Sequence, residues 1–150
     1  MRINSSVVIR IVLLACFLRG ADALAENRSA SSNYILRCAG CHGMDGAGSN
    51  IGGIPSLSLI KSFTSDAQGR MYVMHVPGVV NSSLSDQEIA DVVNYAVEKW
   101  GAKDVPFQRF NLEEVTRLRA NNIDDIVSYR RNLTARYLTE GKLVAEYPWP

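Results

Sequence analysis

The 150-residue chain is poor in the residues that build metal sites and covalent scaffolds: it has three cysteines and two histidines. Three cysteines are too few for a disulfide-dense fold, and any metal site must draw on very few ligands. Neither sign of charge is in excess. Sixteen basic side chains face 15 acidic ones, a formal net charge of +1, which gives no support to a nucleic-acid surface or an acidic solvating tail. Eleven glycines and five prolines exclude collagen-like and low-complexity classes. No internal repeat is visible, and no apolar run is long enough to span a bilayer. What remains, 47% hydrophobic and 21% charged residues, suits one globular domain with room for an appendage.

The first residues read as an address. Arg2 and Arg10 precede a short apolar run from Ile11 to Leu18, and Ala23-Leu24-Ala25 supplies a small-x-small cleavage pattern. Residues 1–25 are therefore expected to be a secretory signal, with a mature start at Glu26 and a periplasmic destination. Its removal takes away Cys16, and no membrane span is expected in the mature chain. Cys38 and Cys41 remain, and an oxidising compartment favours a disulfide between them unless something else consumes both thiols.

Cys38-Ala39-Gly40-Cys41-His42 is a C-x-x-C-H sequence, the attachment signature for c-type haem. Residues three apart on a helical turn share a face, so both sulfurs can reach the vinyl groups of one porphyrin while His42 meets the iron. A thioredoxin-like pair requires a βαβ context that the sequence does not show. Structural zinc requires about four ligands and a second close pair, which is also missing. A short helix, Ser31 to Arg37, leads into the motif. A glycine-rich irregular loop, containing Gly46-Ala47-Gly48 and Ile54-Pro55-Ser56-Leu57, follows it.

On these residues, roughly 30–100, the chain resembles the monohaem class I c-type cytochromes. The resemblance implies an all-α fold, a cytochrome c-like haem domain of short helices wrapping one covalent haem c. It implies thioethers at Cys38 and Cys41, His42 as proximal ligand, and Pro55 offering its carbonyl to His42 Nδ1–H, a bond that fixes the ring and raises its basicity. The family's last helix matches Ser85-Asp86-Gln87-Glu88, a capping box, followed by Ile89, Val92, Val93, Ala96, Val97 and Trp100 at helical spacing. Before that helix the family places a methionine, often as Met-Pro. Here Val76-Pro77-Gly78 occupies the register. Met74 is the expected second ligand, with Met71, His75 or an open position as the alternatives.

Beyond residue 103 a breaker-rich link leads to an expected C-terminal helical extension, 104–150, after a haem domain of 26–103 and the signal of 1–25. Asn111 should cap a helix with Leu112, Val115 and Leu118 inward, and Asp124 or Asp125 another running to Leu138. Arg130, Arg131 and Arg136 read as a solvated face, and fifty residues with two short helices should dock on the haem domain. The implied function is single-electron transfer between a redox-protein donor and acceptor, a carrier rather than a catalyst. Two alternatives stand beside it: a five-coordinate haem that binds or reduces a small ligand, and a cytochrome subunit of a larger dehydrogenase.

Overall fold

The computed structural model describes residues 28–145; the expected signal peptide and the last five residues, including Tyr147 and Trp149, lie outside that range. Among the described residues there are eight α-helices, one 3₁₀ turn and no strand. They are α1 (Ala30–Arg37), α2 (Ala39–His42), the 3₁₀ turn Leu57–Leu59, α3 (Ile60–Thr64), α4 (Ala67–His75), α5 (Pro77–Val80), α6 (Asp86–Trp100), α7 (Leu112–Arg119) and α8 (Ile126–Thr139).

Local chemistry sets most of these boundaries. Ser85 accepts from the Glu88 amide while the Glu88 carboxylate reaches back to the Ser85 amide, the reciprocal box that starts α6. Asn111 Oδ1 accepts from the Glu114 amide at 2.9 Å to start α7, and Asp125 caps α8 through the amides of Val127 and Ser128. Pro77 opens α5, where its missing N–H has no partner to lose.

The core is one cluster. From α6 it takes Ile89, Ala90, Val92, Val93, Ala96 and Val97, all under 8% exposed, and each large member contributes about 1.5–3 kcal/mol by leaving water. Across that face lies α1, whose Tyr34 ring meets Tyr95 and Trp100 at centroid distances of 5.9 and 4.4 Å. On the other side α7 packs against both α6 and α4, and α8 against α4. The extension is therefore docked as expected, but two details differ. Leu112 is 49% exposed, because only Val115 and Leu118 of α7 face inward. Arg130 is buried, its guanidinium lying over the Phe63 and Tyr72 rings, and Arg136 binds Asp66. A long side chain can bury its stem and stack its planar head on an aromatic ring, a use that charge patterning does not reveal.

Asp66 joins the two parts electrostatically. It caps α4 by accepting from the amides of Gln68 and Gly69, both at 3.0 Å, and it pairs with Arg136 and Lys142 of the extension. Burial alone would push its carboxyl up; the Gly69 amide and the Arg136 guanidinium outweigh burial and hold it at about 2. A depressed carboxyl stabilises the fold above its ordinary value, and that contribution is lost as pH falls through the folded value. Asp66→Asn is thus expected to cost about 1 kcal/mol at neutral pH, after allowance for solvent screening. It should also flatten the fall in thermal midpoint between roughly pH 4 and pH 2. Thermal unfolding across a pH series checks both.

Candidate haem site

The motif sits on a kinked helix. Cys38 ends α1 and begins α2 with φ −120° and ψ −39°, and its carbonyl accepts from the His42 amide at 2.9 Å. Both cysteines are free thiols, Cys38 half-buried and Cys41 exposed. Burial, then the neighbouring Cys41, pushes the Cys38 thiol up, so it is held protonated.

His42 Nδ1–H donates to the Pro55 carbonyl at 3.2 Å, as the resemblance implied. A carbonyl can only accept, so Nδ1 carries the proton and Nε2 keeps its lone pair. Burial lowers the His42 pKa against the opposing effect of the Pro55 bond, and the neutral ring is the metal-ligating form. The loop that delivers Pro55 is tightly made. Ser49 and Ile54 exchange both backbone bonds at 2.8 and 2.9 Å, Gly48 donates to the His42 carbonyl at 2.9 Å, and Leu57 donates to Gly46 at 2.9 Å. Gly48 has φ +76°, and a Cβ there would stand 2.3 Å from the Ile54 carbonyl oxygen. Only glycine fits so close a backbone crossing in the left-handed region.

Tyr34 and Trp100 brace the loop. The Tyr34 hydroxyl donates to the Gly43 carbonyl at 2.7 Å, and burial, then Coulomb interaction with Cys38 and Asp45, raises its pKa to about 12. Trp100 lies against Gly46, where a Cβ would come within 2.7 Å of the indole. Neither contact was legible in the motif. Tyr34 stands four residues before Cys38, on the same helical face, which is the only sequence signal it offers.

The donor set fits a covalent haem. Two unpaired thiols three residues apart flank one carbonyl-anchored neutral imidazole. Large apolar side chains stand exposed on the following loop and on α5, namely Met44 at 62%, Ile51 at 97% and Val80 at 47%.

The expected distal residues are placed differently from one another. Val76 is the N-cap of α5 in extended backbone. Met74 is fully buried in the core and Met71 is partly buried against it. Both His75 ring nitrogens point at backbone carbonyl oxygens, Nδ1 at Met71 (2.8 Å) and Nε2 at Asn121 (3.0 Å). No group of three or more His, Cys, Asp or Glu side chains with metal-site geometry occurs among the described residues. No described helix is long and apolar enough to cross a membrane.

An all-helical fold presents this thiol pair beside one carbonyl-anchored imidazole. Residues 28–100 match the family model described as cytochrome c. The chain is 32% identical over 143 aligned residues to a cytochrome c-552 of Thermus thermophilus, covering 81% of this chain and 95% of the relative. A second cytochrome c-552 of the same species is 32% identical over 124 residues, covering 68% and 95%. The chain belongs to the cytochrome c family, whose members are in general electron carriers. The 81% share is more than residues 1–100 could supply, so the likeness to the first relative reaches into the extension.

Proposed function

We propose that this protein is an exported, periplasmic monohaem c-type cytochrome that passes single electrons between a redox-protein donor and acceptor. Cys38 and Cys41 would hold haem c through thioethers, and His42 would be the proximal ligand. When bound, the haem supplies a one-electron iron couple. The chain does the rest: Pro55 fixes the imidazole tautomer, Gly48 allows Pro55 to approach, and Tyr34 and Trp100 hold the loop. The single observation that carries this reading is the His42 Nδ1–Pro55 carbonyl bond. It orients one nitrogen and leaves the other for a metal, an arrangement that a bare Cys-x-x-Cys redox pair has no use for.

The test is expression in a host competent in haem attachment. A red protein with one haem per chain, which remains with the polypeptide on a denaturing gel and titrates as a one-electron couple, is the expected result. A colourless protein, or one whose thiols are joined in a disulfide, would overturn the reading.

The distal placement favours a second reading. Val76 stands at the register where the family places methionine and offers no iron ligand, and both His75 ring nitrogens already face backbone carbonyl oxygens. A haem without a protein ligand on that side binds small molecules. Carbon monoxide added to the reduced protein separates the two: rapid stoichiometric uptake marks an open site, and an unchanged spectrum marks six-coordination.

A further inference from the structure

Residues 105–108 are tied to α3 and α4 by two bonds of 2.8 Å, from Lys61 Nζ to the Val105 carbonyl and from Arg70 Nη1 to the Gln108 carbonyl. With the α3–α4 corner and α7 they border a cleft of about 760 Å³, a volume typical of small-molecule sites. Its lining is apolar at Pro106, Phe107 and Leu118. The Phe107 ring is half-buried, its centroid 6.2 Å from that of Phe110. The charged lining consists of Asp66, Arg70, Glu114 and Arg117.

Three of those four charges are already matched. Arg70, itself buried, donates from Nε and Nη2 to the two Glu114 oxygens, both at 2.6 Å. Asp66 accepts from two α4 amides and pairs with Arg136 and Lys142. Arg117, exposed in the last turn of α7, has no ion pair and no side-chain hydrogen bond among the described residues. Glu113, one turn earlier, makes no ion pair with it and does not line the cleft. Gln108 does line it, and its side-chain amide has no partner among the described residues. The cleft thus carries one unmatched positive charge and one neutral donor beside apolar surface. A guanidinium takes a carboxylate through two parallel N–H···O bonds, and a cleft with apolar walls concentrates the field of its charge.

We propose that this cleft is a binding site for a small monocarboxylate with an apolar body. Arg117 and Gln108 hold the carboxylate, and the body lies against Pro106, Phe107 and Leu118. A dicarboxylate is disfavoured, because its second charge meets Glu114 and Asp66 in the same cleft. Acetate has the charge but too little apolar area to bury. No residue of the Cys38–His42 motif lines the cleft, so the site does not depend on haem being bound. A ligand seated there joins residues 105–108 and α7 to the α3–α4 corner and stabilises the docked extension by mass action.

The test is calorimetric titration of the full-length holoprotein with 3-phenylpropionate. One molecule per chain is expected to bind with a Kd of about 1 mM or tighter. At a tenfold excess over Kd it should raise the thermal midpoint by about 3–5 °C, with the visible haem spectrum unchanged. Arg117→Gln should weaken binding at least about tenfold, and so should replacing the probe by acetate or by neutral 3-phenylpropionamide. Arg131→Gln, which removes an exposed arginine of α8, should leave it unaltered; both substitutions are on the surface, so both variants should fold. No binding at about 10 mM probe, an amide that binds as well as the acid, or full affinity in Arg117→Gln overturns the proposal. An equal loss in Arg131→Gln does so too, since it marks diffuse charge attraction. A shifted haem spectrum would place the carboxylate on the iron and would also overturn it. A colourless protein would overturn the haem reading alone, and heat and melting would still decide the cleft.

Discussion

A Cys38→Ala, Cys41→Ala double variant is expected to lose all of its haem to acid acetone, while the parent protein keeps its haem with the polypeptide. The cause is the difference between a covalent thioether pair and a single coordinate bond. His42 donates one lone pair, and acid protonates the imidazole and takes that bond away. Each single variant keeps one link, so haem should remain attached with an absorption maximum between those of the double variant and the parent in alkaline pyridine. Haem staining of a denaturing gel is the check. A stained band in the double variant would mean that the attachment lies elsewhere.

The second large effect falls far from the motif. Gly69→Ala is expected to destabilise the protein by about 3 kcal/mol or more, lowering its thermal midpoint by roughly 10 °C. A Cβ at Gly69 would stand 1.9 Å from the Phe63 carbonyl oxygen and 2.3 Å from the Tyr137 hydroxyl. The first is backbone and cannot swing aside. The second is a fully buried side chain, wedged between α8 and the α3–α4 corner. Only Ser65 and Asp66 join α3 to α4, so the two helices cannot part without losing the Asp66 cap and the ion pairs that it makes. Gly78, also helical, has nothing within 4 Å of such a Cβ. Gly78→Ala should therefore be neutral or stabilising by up to about 1 kcal/mol. Thermal melts of the two variants side by side separate steric cost from helix propensity.

What the sequence could show followed from short-range chemistry. The capping box at Ser85 and Glu88, the Asn111 cap and the spacing from Ile89 to Trp100 are all written within a few residues, and each formed as expected. The Cys38, Cys41, His42 cluster is equally local, and the Pro55 bond came from the family resemblance. Most of the contacts that were missed join distant residues. Arg70 and Glu114 are 44 positions apart, as are Lys61 and Val105, whose carbonyl accepts the buried ammonium. Neither member of either pair looks unusual in its own neighbourhood. Arg130, Arg131 and Arg136 illustrate the same limit, since one run of positive charge divides into a buried stacker, an exposed side chain and an ion pair.

Asn94 carries a consequence of a different kind. It is 1% exposed, in the middle of α6. Its amide gives to the Phe110 carbonyl at 2.9 Å and its oxygen takes from the Phe110 amide at 2.8 Å. The side chain thus offers Phe110 the donor and acceptor that a neighbouring strand would have offered. A buried amide stripped of both partners costs several kcal/mol, so α6 is chemically unfinished without residue 110. The family-model match stops at residue 100, while the Asn94–Phe110 bonds run past it. Hydrogen exchange should find the Phe110 amide opening together with the core of α6, so that the extension belongs to the same foldon as the helix it completes.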